Sequence, residues 1–278
     1  MKTLFTFVLT FAVTSGFAQQ DMFWNNYSHF NPAMSGFEYK QHGALSYSDY
    51  FRNKTEDNLV FNYNTRIKNK HGVGLNYSQE FEIINSSNLL ANYNYQFDLK
   101  ESGKLSAGIG AGFNRRIENT KYFSPNRTTP PDSYFNIQLS AGLAHKWKGL
   151  VSGISVHNTT RYGEDLNPYT AKFSPYFVAH VGYGFQLGNN IQLTPRAIFQ
   201  IQDNSLSIYS NIELKLFNKF SVGVLHTFDQ KDQLGFHAGY HLADKIHLGY
   251  AYNSVLKHHK IDYLERGKHT FTLGFTLK

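Results

Sequence analysis

The chain of 278 residues is 41% hydrophobic and 16% aromatic, but only 17% of its residues are charged, and it has no cysteine. A charged fraction below the ~25% of ordinary soluble domains argues against a typical soluble enzyme, and the lack of cysteine excludes disulfides, thiol catalysis and cysteine-ligated metals. The formal charge of +7 is dispersed along the chain, so nucleic acid is not an expected partner.

Residues 1–18 have the order of a secretory signal peptide. Lys2 supplies a positive charge, residues 4–13 are mostly apolar, and small residues stand at Gly16 and Ala18, the positions that a signal peptidase reads. We expect export through the Sec pathway and cleavage after Ala18. The alternative is a short N-terminal anchor helix, but the apolar run is shorter than the ~20 residues that a membrane-spanning helix needs.

Residues 19–40 lack the periodicity of a strand or of a long helix and are rich in Asn and aromatic residues. The sequence therefore predicts an irregular segment before the first strand. Pro32 fixes its own φ and holds Asn31 in an extended conformation, which predicts a fixed bend. Gly36 permits a backbone angle that other residues avoid. The alternative interpretation is a simple lead-in turn.

Residues 41–278 form a long series of segments in which apolar and polar side chains alternate, the period-two signal of β-strands. In 89–99, 105–113 and 177–187, one face is aliphatic or aromatic, and the other carries mostly Gly, Ser, Asn, Gln and His. The outer surface of a soluble β-sandwich would carry more Lys and Glu, whereas small polar side chains suit the lumen of a closed barrel. The sequence predicts an all-β fold, an antiparallel transmembrane β-barrel.

Short and generally longer connections alternate between these strands, which is typical of outer-membrane barrels with periplasmic turns and extracellular loops. The short turns are predicted at 68–70, 100–103, 148–149, 188–190, 217–219 and 243–245. The other connections are predicted at 50–57, 81–87, 118–133, 158–174, 202–205, 229–232 and 254–267. The pattern predicts about fourteen strands with both ends in the periplasm, and residues 19–40 at the periplasmic mouth or in the lumen. Because 202–205 and 229–232 are nearly as short as the turns, the count stays open by one hairpin.

Several patterns resemble catalytic or metal sites but lack a required part. His237 and His241 share one face of a strand and lie about 13 Å apart at ~3.3 Å per residue, too far for one ion. Ser155 and His157 lie in a stretch that lacks the second Gly and the strand-to-helix turn of a nucleophile elbow. We therefore expect no metal, no cofactor and no enzymatic activity.

Short motifs along the chain resemble one family of outer-membrane proteins. Residues 27–36 resemble the N-terminal Asn-Pro-Ala-x-x-Gly signature of the PorP/SprF proteins of type IX secretion, with Asn31, Pro32, Ala33 and Gly36 at the signature positions. Later stretches fit the same family in the same order: 153–158, 182–185, 193–195, 249–253 and 267–271.

The chain also departs from the family pattern. Asn253 stands where Asp is usual, Thr270 stands where Glu is usual, and Met34 stands where an aromatic residue is usual. The chain ends on Lys278 rather than on an aromatic residue. These differences suggest a divergent paralogue.

The resemblance implies a barrel that works with type IX secretion components or anchors the C-terminal domain of a secreted surface protein, such as an adhesin, in the outer membrane. Residues 118–133 and 158–174 are the best candidates for partner-binding loops, because they are among the longest and carry residue types enriched at binding hot spots. The candidate contact residues are Tyr122, Arg127, Arg161, Tyr162 and Tyr169. One alternative function is a passive porin or small-solute transporter, and a steady conductance in a planar bilayer would indicate it. Another alternative is a soluble exported β-protein.

Overall fold

The computed structural model of the protein describes nine ranges of the chain. They are residues 22–49, 57–81, 84–118, 133–161, 172–202, 205–228, 233–242, 245–255 and 267–277. The predicted signal peptide lies outside these ranges. The helices within them are short turns of the chain, and none has the length and apolar character of a membrane span.

The strands form one antiparallel sheet that closes on itself. Their bounds are β1 Gln41–Asp49, β2 Asp57–Ile67, β3 His71–Phe81, β4 Ile84–Asp98, β5 Lys104–Glu118, β6 Ser133–Trp147, β7 Leu150–Arg161, β8 Lys172–Tyr183, β9 Phe185–Gly188, β10 Ile191–Gln202, β11 Ser205–Leu216, β12 Phe220–Phe228, β13 Gln233–Leu242, β14 Ile246–Val255 and β15 Lys268–Leu277. Strands that follow each other in the chain pair, except that β8 and β9 both pair with β10, and β1 pairs with β15 to close the ring.

Strands β8 and β9 are one barrel strand interrupted at Gly184, because both pair with β10 in the same direction. The barrel therefore has fourteen strands, and the prediction of an antiparallel barrel of about fourteen strands is confirmed. The pairing of Gln41 with Leu277 places the start of β1 and the end of β15 at the same mouth of the barrel.

The two ends of the barrel differ in their connections. At the end that we call the turn end, strands follow each other after tight turns in which several non-glycine residues have positive φ, among them Lys68, Asn69, Lys148 and Asn218. Gln41 and Leu277 also lie at the turn end. At the opposite end, which we call the loop end, β5 ends at Glu118 and β6 begins at Ser133, and β7 ends at Arg161 and β8 begins at Lys172.

The barrel has its apolar side chains on the outside and many of its polar side chains inside. On β6 the outward Phe135, Ile137 and Leu139 are more than half exposed, at 62%, 64% and 54%, whereas the intervening Gln138 and Ser140 are buried. This arrangement is the one expected when lipid surrounds the barrel and the lumen is polar. The alternation that predicted the strands thus predicts which side chains face the lumen.

Two loops are shorter in the structure than the sequence predicts. Residues 81–87 were expected to be a loop, but β3 continues to Phe81 and β4 begins at Ile84, with Ser86 opposite Glu80. Both ends of the expected loop 158–174 belong to strands in the structure, because β7 extends to Arg161, which pairs with Lys172 of β8. Polar residues indicated loops in both places, but a barrel strand can carry polar residues where it leaves the hydrocarbon layer.

Candidate functional site

Residues 22–40, which we call the plug, lie inside the lumen. The sequence predicted that this segment lies either at the periplasmic mouth or in the lumen. In the structure residues 22–40 lie in the lumen and contact strands on both sides of the barrel. The plug contains two 3₁₀ turns, Phe23–Asn25 and Pro32–Met34, and one short helix, α1, Tyr27–Phe30. Such short turns leave most backbone carbonyls unpaired within the segment, so the barrel wall must satisfy them.

Asn31 is the central anchor of the plug. Its φ of −147° and ψ of 112° are extended, as expected before Pro32, and its side-chain oxygen accepts a hydrogen bond from the Ala33 N–H at 3.0 Å. Its amide nitrogen lies 2.9 Å from the Leu143 oxygen and 3.3 Å from the Ile154 oxygen. The Asn31 side chain is completely buried, so it joins the plug to β6 and β7 without competition from water.

Asn31 also lies close to a histidine of the barrel wall. Its Nδ2 atom is 3.1 Å from Nε2 of His180 on β8, and the His180 ring lies 5.2 Å from the ring of Tyr27. The Asn31 oxygen is taken by the Ala33 N–H, and the two N–H donors of its amide are shared among the nearby groups of β6, β7 and β8. The first residue of the sequence signature therefore has a clear structural role.

Side chains of neighbouring strands donate hydrogen bonds to the carbonyl groups of the plug. Asn92 donates to Ser28 at 2.6 Å, Ser106 donates to Ala33 at 2.7 Å, and Gln96 donates to Gly36 at 3.2 Å. The donors Asn92, Gln96 and Ser106 are buried, so the loss of one would leave an unpaired polar group away from water.

Two donors from β7 meet at one carbonyl. Ser155 Oγ donates to the Phe30 oxygen at 2.5 Å, and His157 Nε2 lies 2.6 Å from the same oxygen. The ring of His157 also stacks on the ring of Tyr176, with 4.6 Å between the ring centroids. Ser155 and His157, which in the sequence resembled part of a nucleophile motif, therefore both hold the plug.

Glycines let the plug approach the wall closely. Gly36 has a φ of +62°, and a Cβ atom there would lie 2.6 Å from the Thr65 oxygen. A Cβ atom on Gly108 of β5 would lie 2.5 Å from the Ala33 nitrogen. Larger residues at either position would require the plug or the strand to move.

On the opposite side of the lumen the sulfur of Met22 and the indole of Trp24 meet polar and charged groups of the wall. Met22 is buried, and its sulfur accepts a hydrogen bond from Thr272 of β15 at 3.4 Å. The ring of Trp24 lies 4.6 Å from the ring of His237 and 5.7 Å from the guanidinium carbon of Arg196. Arg196 in turn contacts Glu213 at 3.1 Å.

The plug leaves a cavity of about 290 Å³ at the turn end, which we call the vestibule. Its wall includes residues near tight turns, among them Gly149 and Gln192. The acidic, basic and histidine side chains of its lining are Glu38, His42, Lys146, Arg196, Glu213, Lys215, His241 and His247. The vestibule is therefore polar and carries both signs of charge.

The four signature residues lie together in the plug. Asn31, Pro32 and Ala33 are buried near the middle of the plug, and Gly36 follows near the turn end, where its carbonyl accepts a hydrogen bond from Arg66 Nε at 2.9 Å. The candidate loop contacts Tyr122, Arg127, Tyr162 and Tyr169 lie outside the described residues. The backbone of Arg161 ends β7.

Sequence reasoning missed the residues that receive the plug. The run of Asn92, Asn94 and Gln96 at alternate positions of β4 was visible as a polar lumen face, but not as a set of donors to the plug. The pair formed by Arg196 and Glu213 was not identified either, since it depends on the register of β10 and β11. Within the described ranges no three His, Asp or Glu side chains form a group able to hold a metal ion.

Comparison with known proteins places these features in a family. A family model described as "Type IX secretion system membrane protein PorP/SprF" matches residues 12–275. No curated protein matches the chain.

Several solved structures have a similar fold. The Acinetobacter baumannii outer membrane protein Omp33 matches with a TM-score of 0.54 and 12% identity, covering 87% of this chain and 100% of its own. A Pseudomonas aeruginosa FadL homologue matches with a TM-score of 0.54 and 12% identity, covering 90% and 93%. The P. putida toluene transporter TodX matches with a TM-score of 0.51 and 9% identity, covering 95% of each chain. At these identities the likeness shows the barrel fold alone.

Proposed function

Because the chain belongs to the PorP/SprF family of type IX secretion system membrane proteins, we propose that this outer-membrane barrel binds the C-terminal domain of a secreted surface protein at its loop end and contacts the secretion machinery at its turn end. In an outer-membrane barrel the tight turns face the periplasm, so the loop end faces outwards. The partner would be an adhesin or another surface protein that carries a secretion domain.

The filled lumen is the observation that carries this proposal. Asn31 is buried at the centre of the barrel and is bonded to β6 and β7, and several further side chains hold the plug carbonyls. A barrel closed in this way supports loops on a rigid frame, which favours recognition of a partner. A plug in the lumen hinders the passive diffusion of solutes, so it argues against the alternative of an open porin.

We also propose that the protein has no catalytic activity of its own. Ser155 and His157, the pair in the sequence that most resembles a nucleophile and its base, both bond to the Phe30 carbonyl in the lumen. A nucleophile must be able to reach a substrate carbonyl or phosphoryl group. The plug occupies that position here.

The proposal is tested by capture of the partner on the purified barrel. The probe is the isolated C-terminal domain of a type IX-secreted surface protein, taken from the neighbouring gene where that gene encodes one, and the variant is Tyr122→Ala with Arg127→Ala. We expect the affinity to fall at least ~10-fold, since truncation of a hot-spot residue typically costs ~2 kcal/mol or more.

The matched control lies in the same predicted loop. The variant Thr128→Ala with Thr129→Ala makes two truncations beside the first pair but removes no aromatic ring and no charge. We expect it to bind the C-terminal domain as the parent does. Equal binding by all three proteins would remove this loop from the interface, and no binding by the parent would contradict the anchoring function.

A further inference from the structure

The tight turns of the turn end are rich in lysine. Five of the six turns that join strands at this end contain at least one. These lysines, which we call the lysine rim, are all exposed, and they are Lys68, Lys70, Lys100, Lys148, Lys219 and Lys245. The rim lies at the outer edge of the barrel mouth and is separate from the lining of the vestibule.

Few carboxylates accompany the lysine rim. Among the described residues of the turn end the exposed acids are Asp98 and Glu101, and Asp98 contacts Lys104 at 3.3 Å. The sequence adds Asp244, whose position lies outside the described residues. The six rim lysines therefore stand against Glu101 and Asp244, which leaves the rim with a positive charge.

The loop end has a different distribution of charge. There β1 ends at Asp49, β2 begins at Asp57 and β5 ends at Glu118, so acids accompany the basic residues at the described strand ends. The excess of lysine thus belongs to one end of the barrel and is not a general property of its edges.

Three of the rim lysines occupy backbone conformations that suit other residues better. The φ angles are +48° at Lys68, +52° at Lys100 and +44° at Lys148. A side chain at positive φ crowds the backbone, and tight turns of this kind favour Gly, Asn or Asp. The needs of the turns therefore do not explain these lysines, and what the lysines add is an ammonium group at the rim.

Large apolar side chains lie beside the lysines and are exposed as well. Trp147 is 40% exposed, and its ring centre lies 4.9 Å from Nζ of Lys148. Phe217 and Phe220, which are 62% and 50% exposed, flank Lys219 in the chain. Aromatic side chains next to lysines are typical of the level where hydrocarbon meets the lipid headgroups, because the apolar parts stay in the hydrocarbon and the ammonium groups reach the phosphates.

We propose that the lysine rim binds the headgroups of anionic phospholipids in the membrane leaflet at the turn end. The ammonium groups attract the lipid phosphates, and the apolar side chains beside them contact the acyl chains of the same lipids. An acidic protein would match the lysines but not these apolar side chains, which lie on the outer surface of the barrel. The proposal does not depend on the secreted C-terminal domain, so one can fail without the other.

The experiment uses the full barrel in vesicles with one tryptophan as the reporter. The chain has 2 Trp residues, so Trp24→Phe leaves Trp147 as the single tryptophan, beside Lys148. The vesicles contain phosphatidylcholine and phosphatidylglycerol in both leaflets, and one of the two lipids carries bromine, which quenches tryptophan fluorescence on contact. The result is therefore independent of the orientation of the barrel.

Brominated phosphatidylglycerol should quench Trp147 more strongly than brominated phosphatidylcholine at the same mole fraction. We expect a relative affinity of about fivefold or more in favour of the anionic lipid, because each lysine near an anionic membrane surface contributes roughly that factor. The preference should weaken as salt is added. Glycerol 3-phosphate in solution should not abolish it, since the proposed ligand is a lipid and not a free phosphate.

Substitutions at the three strained turn positions then locate the binding. The variant Lys68→Asn, Lys100→Asn and Lys148→Asn should lose most of the preference. Because asparagine suits positive φ better than lysine does, this variant should unfold at the same temperature as the parent or above it, and misfolding would not explain the loss. Arginine at the same three positions retains the charge and should retain the preference.

The control for position is Lys257→Asn with Lys260→Asn. These lysines belong to the connection between β14 and β15 at the opposite end, and their loss should leave the preference unchanged.

Five outcomes would overturn the proposal. Equal quenching by the two lipids in the parent would do so, and it would favour an acidic protein as the partner of the rim. The others are a preference that persists in the asparagine variant, one that is lost in the arginine variant, one that falls equally in the Lys257 and Lys260 control, and one that glycerol 3-phosphate abolishes. Capture of the secreted C-terminal domain is measured without phosphatidylglycerol, which separates this inference from the loop-end function.

Discussion

Strands β2–β7 contact the plug mainly through polar side chains that point at its carbonyl groups. Strands β10–β15 instead place a hydroxyl, an imidazole and a guanidinium against the sulfur of Met22 and the indole of Trp24. We call the first set the bonded wall and the second the open wall. On the bonded wall Asn92 donates to Ser28 at 2.6 Å, and on the open wall the Trp24 ring lies 4.6 Å from the His237 ring. The vestibule lies beside the open wall and extends to β1 and β6–β8, but it does not reach β2–β5.

The difference shows which contacts fix the position of the plug. Hydrogen bonds between buried groups depend strongly on distance and direction, so the bonded wall sets the register of the plug to within a fraction of an ångström. Aromatic and thioether contacts tolerate small shifts. We therefore expect substitutions at the bonded wall to release the plug more readily than substitutions at the open wall.

Release of the plug can be measured because the chain has no cysteine. A single Ser35→Cys substitution introduces one thiol at a completely buried plug position. The rate of maleimide labelling then reports how often the plug leaves its place, provided that the barrel itself stays folded. Each variant carries the Ser35→Cys substitution as its reporter.

Asn31→Ala should have the largest effect. It removes the bonds to Leu143 and Ile154 and leaves their oxygens with one partner fewer in a buried site. We expect the free energy of plug release to fall by about 3 kcal/mol, which corresponds to roughly 100-fold faster labelling. The same variant should show steady conductance in a planar bilayer, whereas the parent should stay closed.

The control for Asn31→Ala is Asn25→Ala in the same plug. The buried side-chain nitrogen of Asn25 has no hydrogen-bond partner among the described atoms, and its backbone carbonyl, which His42 contacts at 2.8 Å, is retained. Labelling of this variant should change little. A steady, unselective conductance of the parent itself would support the porin and contradict the role given to the plug.

The sequence could predict the barrel because many of its strands repeat the same alternation. Gln138 and Ser140 face inwards, Ile137 and Leu139 face outwards, and this parity is visible without coordinates. The partners of the inward residues were not predictable. Asn92 and Ser28 lie 64 positions apart, and their contact depends on how an aperiodic segment folds inside the lumen.

The signature motif shows the same limit. The order Asn31-Pro32 predicted an extended residue followed by a fixed bend, and the dihedral angles of Asn31 agree. Nothing in the motif indicated that the asparagine amide would reach β6, β7 and His180 at once. In the same way Gly108 was visible only as a small lumen-facing residue, although its closeness to Ala33 is a contact with the plug.

Gly108→Ala should have the next largest effect on plug release. The added Cβ would lie 2.5 Å from the Ala33 nitrogen, and that backbone can give way only if the plug shifts. Overpacking of this kind costs about 1–3 kcal/mol, so labelling of the reporter should accelerate about tenfold.

Gly188→Ala is the matched control for Gly108→Ala. It makes the same change at a strand end where a Cβ atom would meet nothing within 4 Å. The labelling rate of this control should equal that of the parent. If Gly108→Ala also left the rate unchanged, the plug would not be held closely against β5.

Acidification should have the smallest effect, through His29 of the plug. Burial lowers the pKa of His29 from 6.5 to about 4, and the nearby His157 acts in the same direction. Between pH 6.5 and about pH 4 the released plug therefore binds a proton more readily than the docked plug. The free energy that favours docking consequently falls as the pH drops below 6.5, and it falls no further below about pH 4. Labelling, normalised to the unfolded chain at each pH, should rise about threefold from pH 7 to pH 6.

His29→Gln isolates this contribution, because glutamine keeps a polar side chain of similar reach but does not titrate. The other histidines of the lumen remain in the variant, so any pH dependence that they cause is common to both proteins. The part of the labelling profile that disappears in His29→Gln belongs to His29. Superimposable profiles would mean that the plug does not respond to this proton, and that its docking over this range depends only on the two walls that hold it.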